Sequence, residues 1–360
     1  MTPISLFAPF GGQEEKAAVA RVLDGQWWGR GPEVAAFEQE FAAYTGWKYC
    51  VTVNSCTAAL ALAVRCLVHI PKASTIGVPT MTFCSDAHVV AQSGARIHWL
   101  DCDQHGQAMI PHGHPSLYGI ILVHFGGRPI DLAPWREAFP GVPLIEDCAH
   151  SLGSDQRPQG DCACYSFHAV KPLATGDGGA FCTNDPVVAE LARRRAWLGI
   201  DRGTAERTTQ AGYVPGYTIK ELGWKCHWND LLAAIGREQL KRMPATTARR
   251  RQIAERYHKG LSSEPYLIGR PAPCPGSSWH IYPVSVGARD DVAADLRAAG
   301  IATGVHYQPL HRFRCYATEA YCPGADAYAA TTLSLPCHAG LSDADVDRVI
   351  ETLVRSVRDR

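Results

Sequence analysis

The chain has no excess of charge of either sign. Lysine plus arginine and aspartate plus glutamate number 35 each, so the formal balance is zero. A field of one sign that would gather nucleic acid or an anionic membrane is therefore missing. Long apolar runs are missing too, and none of the stretches would span a bilayer. The opening residues, MTPISLFAPFGGQEEKAAV, show neither the basic start nor the apolar core of an export signal. These absences lead us to expect a soluble, cytoplasmic protein. Cysteine is not scarce, at 14, but no CxxC pair occurs. Most cysteines sit singly in apolar runs, such as Cys66 in ALAVRCLVHI, and Cys162 and Cys164 share one face of a strand. They read as buried thiols, with neither disulfides nor a structural metal expected. Internal repeats and low-complexity segments are also lacking.

What is present is a globular composition, 46% hydrophobic and 19% charged over 360 residues. That length suffices for two domains with a large buried core. Through the first two-thirds, short β-rich apolar runs alternate with helical or turn segments. Strands are expected over 48–55, 75–83, 95–101, 118–125, 143–147, 163–167 and 179–183, with a buried helix over 57–68. This is the α/β pattern of a mostly parallel sheet covered on both faces. Helices are expected over 229–243, capped by Asn229 or Asp230, and over 248–261. From about residue 271 the texture changes. Strands over 279–286 and 303–307, with helices over 290–299 and 343–357, suggest a smaller α+β domain. The expected division is 1–245 for a large domain and 246–360 for a small one.

The chemistry lies in an ordered series of segments. Asn54-Ser55-Cys56-Thr57 joins a strand to a helix, where unpaired N–H groups and the positive helix end suit a phosphate. The same turn also reads as a plain N-cap. Asp147, in Glu146-Asp147-Cys148-Ala149-His150, ends an apolar strand at the sheet edge where ligands of open α/β sheets collect. Tyr165-Ser166-Phe167-His168 ends the next strand. Lys171 follows, and Gly178-Gly179 opens the return strand. A lone loop lysine is most simply a surface lysine. In this order, however, the set suits a lysine that holds pyridoxal phosphate as a Schiff base, with an acid for the pyridine nitrogen.

With these residues in view, the chain resembles the DegT/DnrJ/EryC1/StrS family of sugar aminotransferases along residues 7–355. Gly31-Pro32-Glu33-Val34, Asn54-Ser55-Cys56-Thr57, Pro79-Thr80-Met81-Thr82-Phe83 and Val123-His124-Phe125-Gly126-Gly127 match its successive motifs. So do the Asp147 and Lys171 segments, Ala233-Ala234-Ile235-Gly236, and Val305-His306-Tyr307-Gln308-Pro309-Leu310-His311.

The resemblance implies a fold type I pyridoxal phosphate enzyme with a large domain and a smaller C-terminal α+β domain. It implies a homodimer with sites at the subunit interface. By position, Lys171 carries the cofactor and Asp147 faces its ring nitrogen. Phe83 stacks on the ring, and His150 lies near the ring hydroxyl. Ser55, Cys56, Thr57 and Ser166 face the phosphate. Lys225 or His227 reaches the partner's phosphate. Trp28 and Arg30 line the entrance, and His306, Tyr307 and His311 close over the acceptor. The implied reaction moves an amino group from L-glutamate to a keto sugar, 4-keto-6-deoxy in type, linked to a nucleoside diphosphate. A Gln-Trp-Trp run like that at residues 26–28 also occurs in relatives that make aminated cyclitols, so a free keto sugar or cyclitol is the alternative acceptor. A non-catalytic regulatory homologue that keeps the cofactor is another alternative. Dehydratases on this scaffold carry histidine in place of the lysine. Lys171 argues against that class, and His168 stands three residues too early to fill the position.

Overall fold

The structure is a computed structural model that describes residues 2–25, 27–68, 74–113, 115–155, 159–201, 208–209, 212–213, 216–316 and 319–360. Gln26 lies outside them. Seven strands form the main sheet: β1 (Tyr49–Val53), β2 (Thr75–Pro79), β3 (Arg96–Leu100), β4 (Gly119–Val123), β5 (Leu144–Asp147), β6 (Cys162–Ser166) and β7 (Gly179–Thr183). Their order is β1-β7-β6-β5-β4-β2-β3, and only β7 runs against the others. The strands are near-continuous apolar runs, such as GIILV in β4, because helices cover both faces.

Alternation along each strand assigns its residues to those faces. On β6, Cys162 and Cys164 belong to the core under helix α3 (Cys56–Leu67), while Ala163 and Tyr165 face the opposite core. That opposite core is built with α2 (Pro32–Thr45). The cysteines in the structure are all free thiols, most of them buried.

Helix α7 (Asp230–Gly260) replaces the two helices expected over 229–243 and 248–261. Pro244 lies inside it, so the helix continues past a residue that cannot donate its own ladder bond. The Asn229 side chain accepts from Leu232 N at 3.0 Å and caps α7. The Asp230 carboxylate instead accepts from Gly31 N and Val34 N, at 2.8 and 3.0 Å, and so caps α2 across the fold. The expected division near residue 245 falls within α7. Leu240 and Met243 of that helix pack in the first unit, and Ile253 and Tyr257 in a separate core.

That second core also holds Ile4, which bridges to Ile301, so the start of the chain packs with the C-terminal region. A small sheet there pairs Leu267–Gly269 with Tyr282–Val286, and the latter with Thr332–Leu335. It is flanked by α8 (Arg289–Ala298) and α10 (Asp343–Arg358), with α9 (Pro323–Thr331) between the last two of these in sequence. The strand expected over 303–307 is reduced to one bridge, Gly304 to Ser334. Beyond it the chain leaves the small sheet and enters the cavity described below. Among the described residues no helix is long and apolar enough to cross a membrane.

Candidate active site

A cavity of about 360 Å³ opens at the C-terminal ends of β5 and β6, beside the start of α3. The strand–turn–helix at residues 53–57 builds one wall. Ser55 is extended, and its Oγ accepts from Ala58 N at 3.1 Å, so the N-cap expected from the sequence is real. The cap satisfies one donor and leaves the first N–H groups of α3, at Cys56 and Thr57, without acceptors within the helix. The site therefore keeps the positive end of α3 at its edge, and the cap and anion readings are compatible.

Glycine lets this helix start so close to the sheet. A Cβ at Gly179 would lie 2.6 Å from Cys56 N, and Gly178 has φ +151°, which an L side chain rarely adopts. The order Lys171, then Gly-Gly, thus has a steric origin.

Alternation on β5 turns Asp147 to the cavity and Glu146 to the far face. Glu146 is held there by His124 Nε2 at 2.9 Å and by the N–H groups of Gln159 and Gly160. Burial raises its carboxyl, but these bonds outweigh burial and leave it below the usual range. His124, Glu146 and Cys148 lie within 4.8 Å of one another. His124 Nδ1 accepts from Ile130 N at 3.0 Å, and the remaining ring N–H is spent on Glu146. No imidazole lone pair is left there for a cation.

Asp147 is buried, and Oδ1 accepts from Ala149 N at 2.8 Å. Burial raises its carboxyl, with that N–H and the Lys171 charge working against the rise. A further cation beside it would lower it again. Lys171 follows the end of β6, in a turn closed by Lys171 N to His168 O at 2.9 Å. Burial lowers its ammonium against the pull of Asp147. The neutral, nucleophilic amine is therefore easier to reach than on a surface lysine.

Phe83 lines the cavity with 58% of its surface exposed, an aromatic face that its own chain leaves uncovered. His150 Nδ1 accepts from Gly126 N at 3.3 Å, so its proton sits on Nε2, 3.0 Å from the Tyr307 hydroxyl. Tyr307 thus accepts from His150 and keeps its own proton to donate. Three imidazoles, His150, His280 and His306, gather here and stay neutral. Burial lowers each, with the Lys171 charge adding to it, and His306 falls to about 4.

The structure brings together Ser55, Cys56, Thr57, Phe83, Asp147, His150, Ser166, Lys171, His306 and Tyr307. Five expected site residues do not line this cavity. Trp28 is exposed, and Arg30 pairs with Glu38 at 3.2 Å. His311 bonds Thr80 at 2.7 Å and approaches Asp326. Lys225 is exposed over the Trp197 ring, and His227 stacks on that ring at 4.2 Å. Sequence reasoning passed over His280, which lies 4.5 Å from His150 between ring centroids. A lone histidine before a strand gives no signal of it.

The donor set fits pyridoxal phosphate. One amine, one acid, an uncovered aromatic face and an open helix N-terminus line a single cavity.

The sequence matches the DegT/DnrJ/EryC1/StrS aminotransferase family over residues 9–354. It is 33% identical to dTDP-4-dehydro-2,3,6-trideoxy-D-glucose 4-aminotransferase of Saccharopolyspora spinosa, covering 98% of this chain and 97% of that one. The fold superposes on the aminotransferase TlmJ from Streptoalloteichus hindustanus with TM-score 0.89, 35% identity and 99% of both chains covered. It also superposes on the PLP form of Spr1654 from Streptococcus pneumoniae with TM-score 0.86, at 26% identity and 99% coverage of both. The chain is therefore an aminotransferase of fold type I and belongs to the DegT/DnrJ/EryC1/StrS aminotransferase family.

Proposed function

We propose that this enzyme uses pyridoxal phosphate to move an amino group from L-glutamate to a keto sugar carried on a nucleoside diphosphate. The observation that carries this reading is one cavity shared by the Lys171 amine and the Asp147 carboxyl, with the start of α3 at its edge. The relative from S. spinosa, named as acting on a dTDP-linked keto sugar, supports the acceptor class.

When bound, the cofactor supplies an electron sink and a carrier for the amino group. The protein's own groups do the rest. Lys171 Nζ, kept easily neutral by burial, holds the cofactor and then takes and returns a proton as base and acid. Asp147 holds the ring nitrogen's proton. The N–H groups at Cys56 and Thr57, with the hydroxyls of Ser55, Thr57 and Ser166, receive the phosphate. Phe83 covers one ring face. His150 and Tyr307 act as a hydrogen-bonded pair, with the Tyr307 proton offered to the cavity. His306 stands beside them for the acceptor.

The test has two stages. Borohydride reduction of protein loaded with pyridoxal phosphate should attach the label to Lys171, and label elsewhere would sink the site. L-Glutamate should then convert the loaded enzyme to its aminated form and release 2-oxoglutarate. A panel of nucleotide-linked and free keto sugars or cyclitols should reverse this only with a nucleotide-linked member. Reversal by free ketones alone would replace the acceptor class. No turnover with any donor or acceptor would indicate a regulatory homologue.

A further inference from the structure

Asp147 has a second carboxyl behind it. Asp86 lies in the first turn of α4 (Ser85–Gln92), fully buried and outside the cavity lining. The Thr82 hydroxyl donates to its Oδ2 at 2.6 Å. Among the described residues no donor reaches its Oδ1, and the carboxyl is in hydrogen-bonding contact with Asp147. The other groups that its charge reaches include thiols and phenols that burial keeps protonated. They are Cys84 beside it, Cys56 on α3, Cys164 on β6, and Tyr307 and Tyr316 from the C-terminal region. Among the described residues no lysine, arginine or histidine forms an ion pair with Asp86.

Two ionised carboxyls cannot share such a contact without a cation, whereas one proton between them turns repulsion into a hydrogen bond. Thr82 occupies Oδ2 as an acceptor, which leaves Oδ1 to carry the proton. We propose that Asp86 is a protonated acid that donates this hydrogen bond to Asp147 and so keeps the cofactor's proton on its ring nitrogen. The proposal rests on the reading of Asp147 as the ring-nitrogen partner. Burial holds Asp86 well above the ordinary carboxylate range, and the neighbouring Asp147 charge adds to this.

The physical logic is a competition for one proton. Asp147 is buried and starts out too basic. A donor on its outer side stabilises its anionic form and weakens its hold on the ring nitrogen's proton. Without that donor the proton moves toward Asp147, and the electron sink weakens. Asp86 touches neither cofactor nor substrate and is a positioning residue.

Asp86→Asn keeps a donor at this point, and Asp86→Leu removes it. The infrared carbonyl band of a buried protonated acid should be present in the cofactor-free wild type at neutral pH and absent in Asp86→Asn. In the loaded protein, nitrogen-15 spectra of labelled pyridoxal phosphate should show a protonated ring in the wild type and Asp86→Asn. In Asp86→Leu the signal should move toward neutral pyridine. The glutamate half-reaction of Asp86→Leu should slow by about tenfold to a hundredfold with KM little changed, the worth of one hydrogen bond to a charged group. Asp86→Asn should stay within about threefold of wild type on the same reasoning.

An infrared band unchanged in Asp86→Asn, or a protonated ring retained in Asp86→Leu, would overturn the proposal. If Asp86→Leu does not fold, the infrared comparison decides alone. A wild type that binds no pyridoxal phosphate overturns the functional reading and the ring-nitrogen role with it. A wild type that binds it, with Asp86→Leu unaffected, overturns the Asp86 role only.

Discussion

Lys171 and Asp147 were legible in the sequence because each carries its strand end with it. Asp147 closes an apolar run, and Lys171 follows Ser166-Phe167 and precedes two glycines, Gly178 required by its positive φ and Gly179 by the packing of α3. Asp86 and His280 were not legible. An acid in a first helical turn reads as an ordinary complement to the helix dipole, and a histidine before a strand reads as core. The roles assigned to the two legible residues differ in what their loss should do. Asp147→Asn keeps the shape but cannot hold the ring nitrogen's proton as an anion. It should still bind cofactor while turnover drops on the order of 10²-fold or more. Near-normal turnover in a steady-state assay would count against that role.

The imidazoles give a pH signature. His306 falls from 6.5 to about 4 on folding, and burial lowers His150 and His280 as well. Below the unfolded value the unfolded chain binds more protons than the native one, so stability drops as pH falls from about 6.5 toward 4. Thermal unfolding of the cofactor-free protein across that window should show the loss, and His306→Gln should make the curve shallower. An identical slope in the variant would show that His306 is not the group that titrates.

At the level of elements, the seven strands and α3 could be read directly, since each is a short apolar run bounded by turn residues. Two features could not. Two helices were expected over 229–243 and 248–261, yet α7 runs unbroken through Pro244, because packing against α1 (Gln13–Asp24), α2 and α10 stabilises the helix on both sides. The 303–307 segment has β-like composition but pairs only at Gly304. Its next residues, His306 and Tyr307, serve the cavity instead of a sheet.

The element that most needs its exact placement is the start of α3. A methyl group at Gly179 would sit 2.6 Å from backbone atoms of Ser55 and Cys56, which no rotamer change relieves. Gly179→Ala should push α3 away from β7 at a stability cost of about 1–3 kcal/mol. On the proposal that the phosphate is received at that helix end, affinity for pyridoxal phosphate should weaken about tenfold or more. Equilibrium dialysis against the cofactor, with a melting curve beside it, measures both. Unchanged affinity would separate the seat from α3.

On the scale of the whole molecule, two cores meet along α7, and the C-terminal region lends His280, His306 and Tyr307 to a cavity whose other walls come from the main-sheet unit and Phe7. That much is contained in one chain. Lys225 and His227 are not at this cavity. They sit past the far side of β1, where Val53 bridges to His227, with Lys225 exposed and His227 Nδ1 without a hydrogen-bond partner among the described residues. A cation and an imidazole left outside their own site are what a dimer with shared sites would use to complete its neighbour's phosphate seat. Complementation tests this. Lys171→Ala and the double variant Lys225→Ala, His227→Ala should each be inactive as homodimers. Co-expressed with different tags and purified as hybrids, they form one site with both functional halves and one with neither. Activity per dimer should return to about half that of wild type. If Lys225 and His227 instead support the fold of their own cavity, the intact Lys171 always sits in a damaged subunit. The hybrid then stays as inactive as its parents, and a chain that elutes as a monomer would rule out the shared site directly.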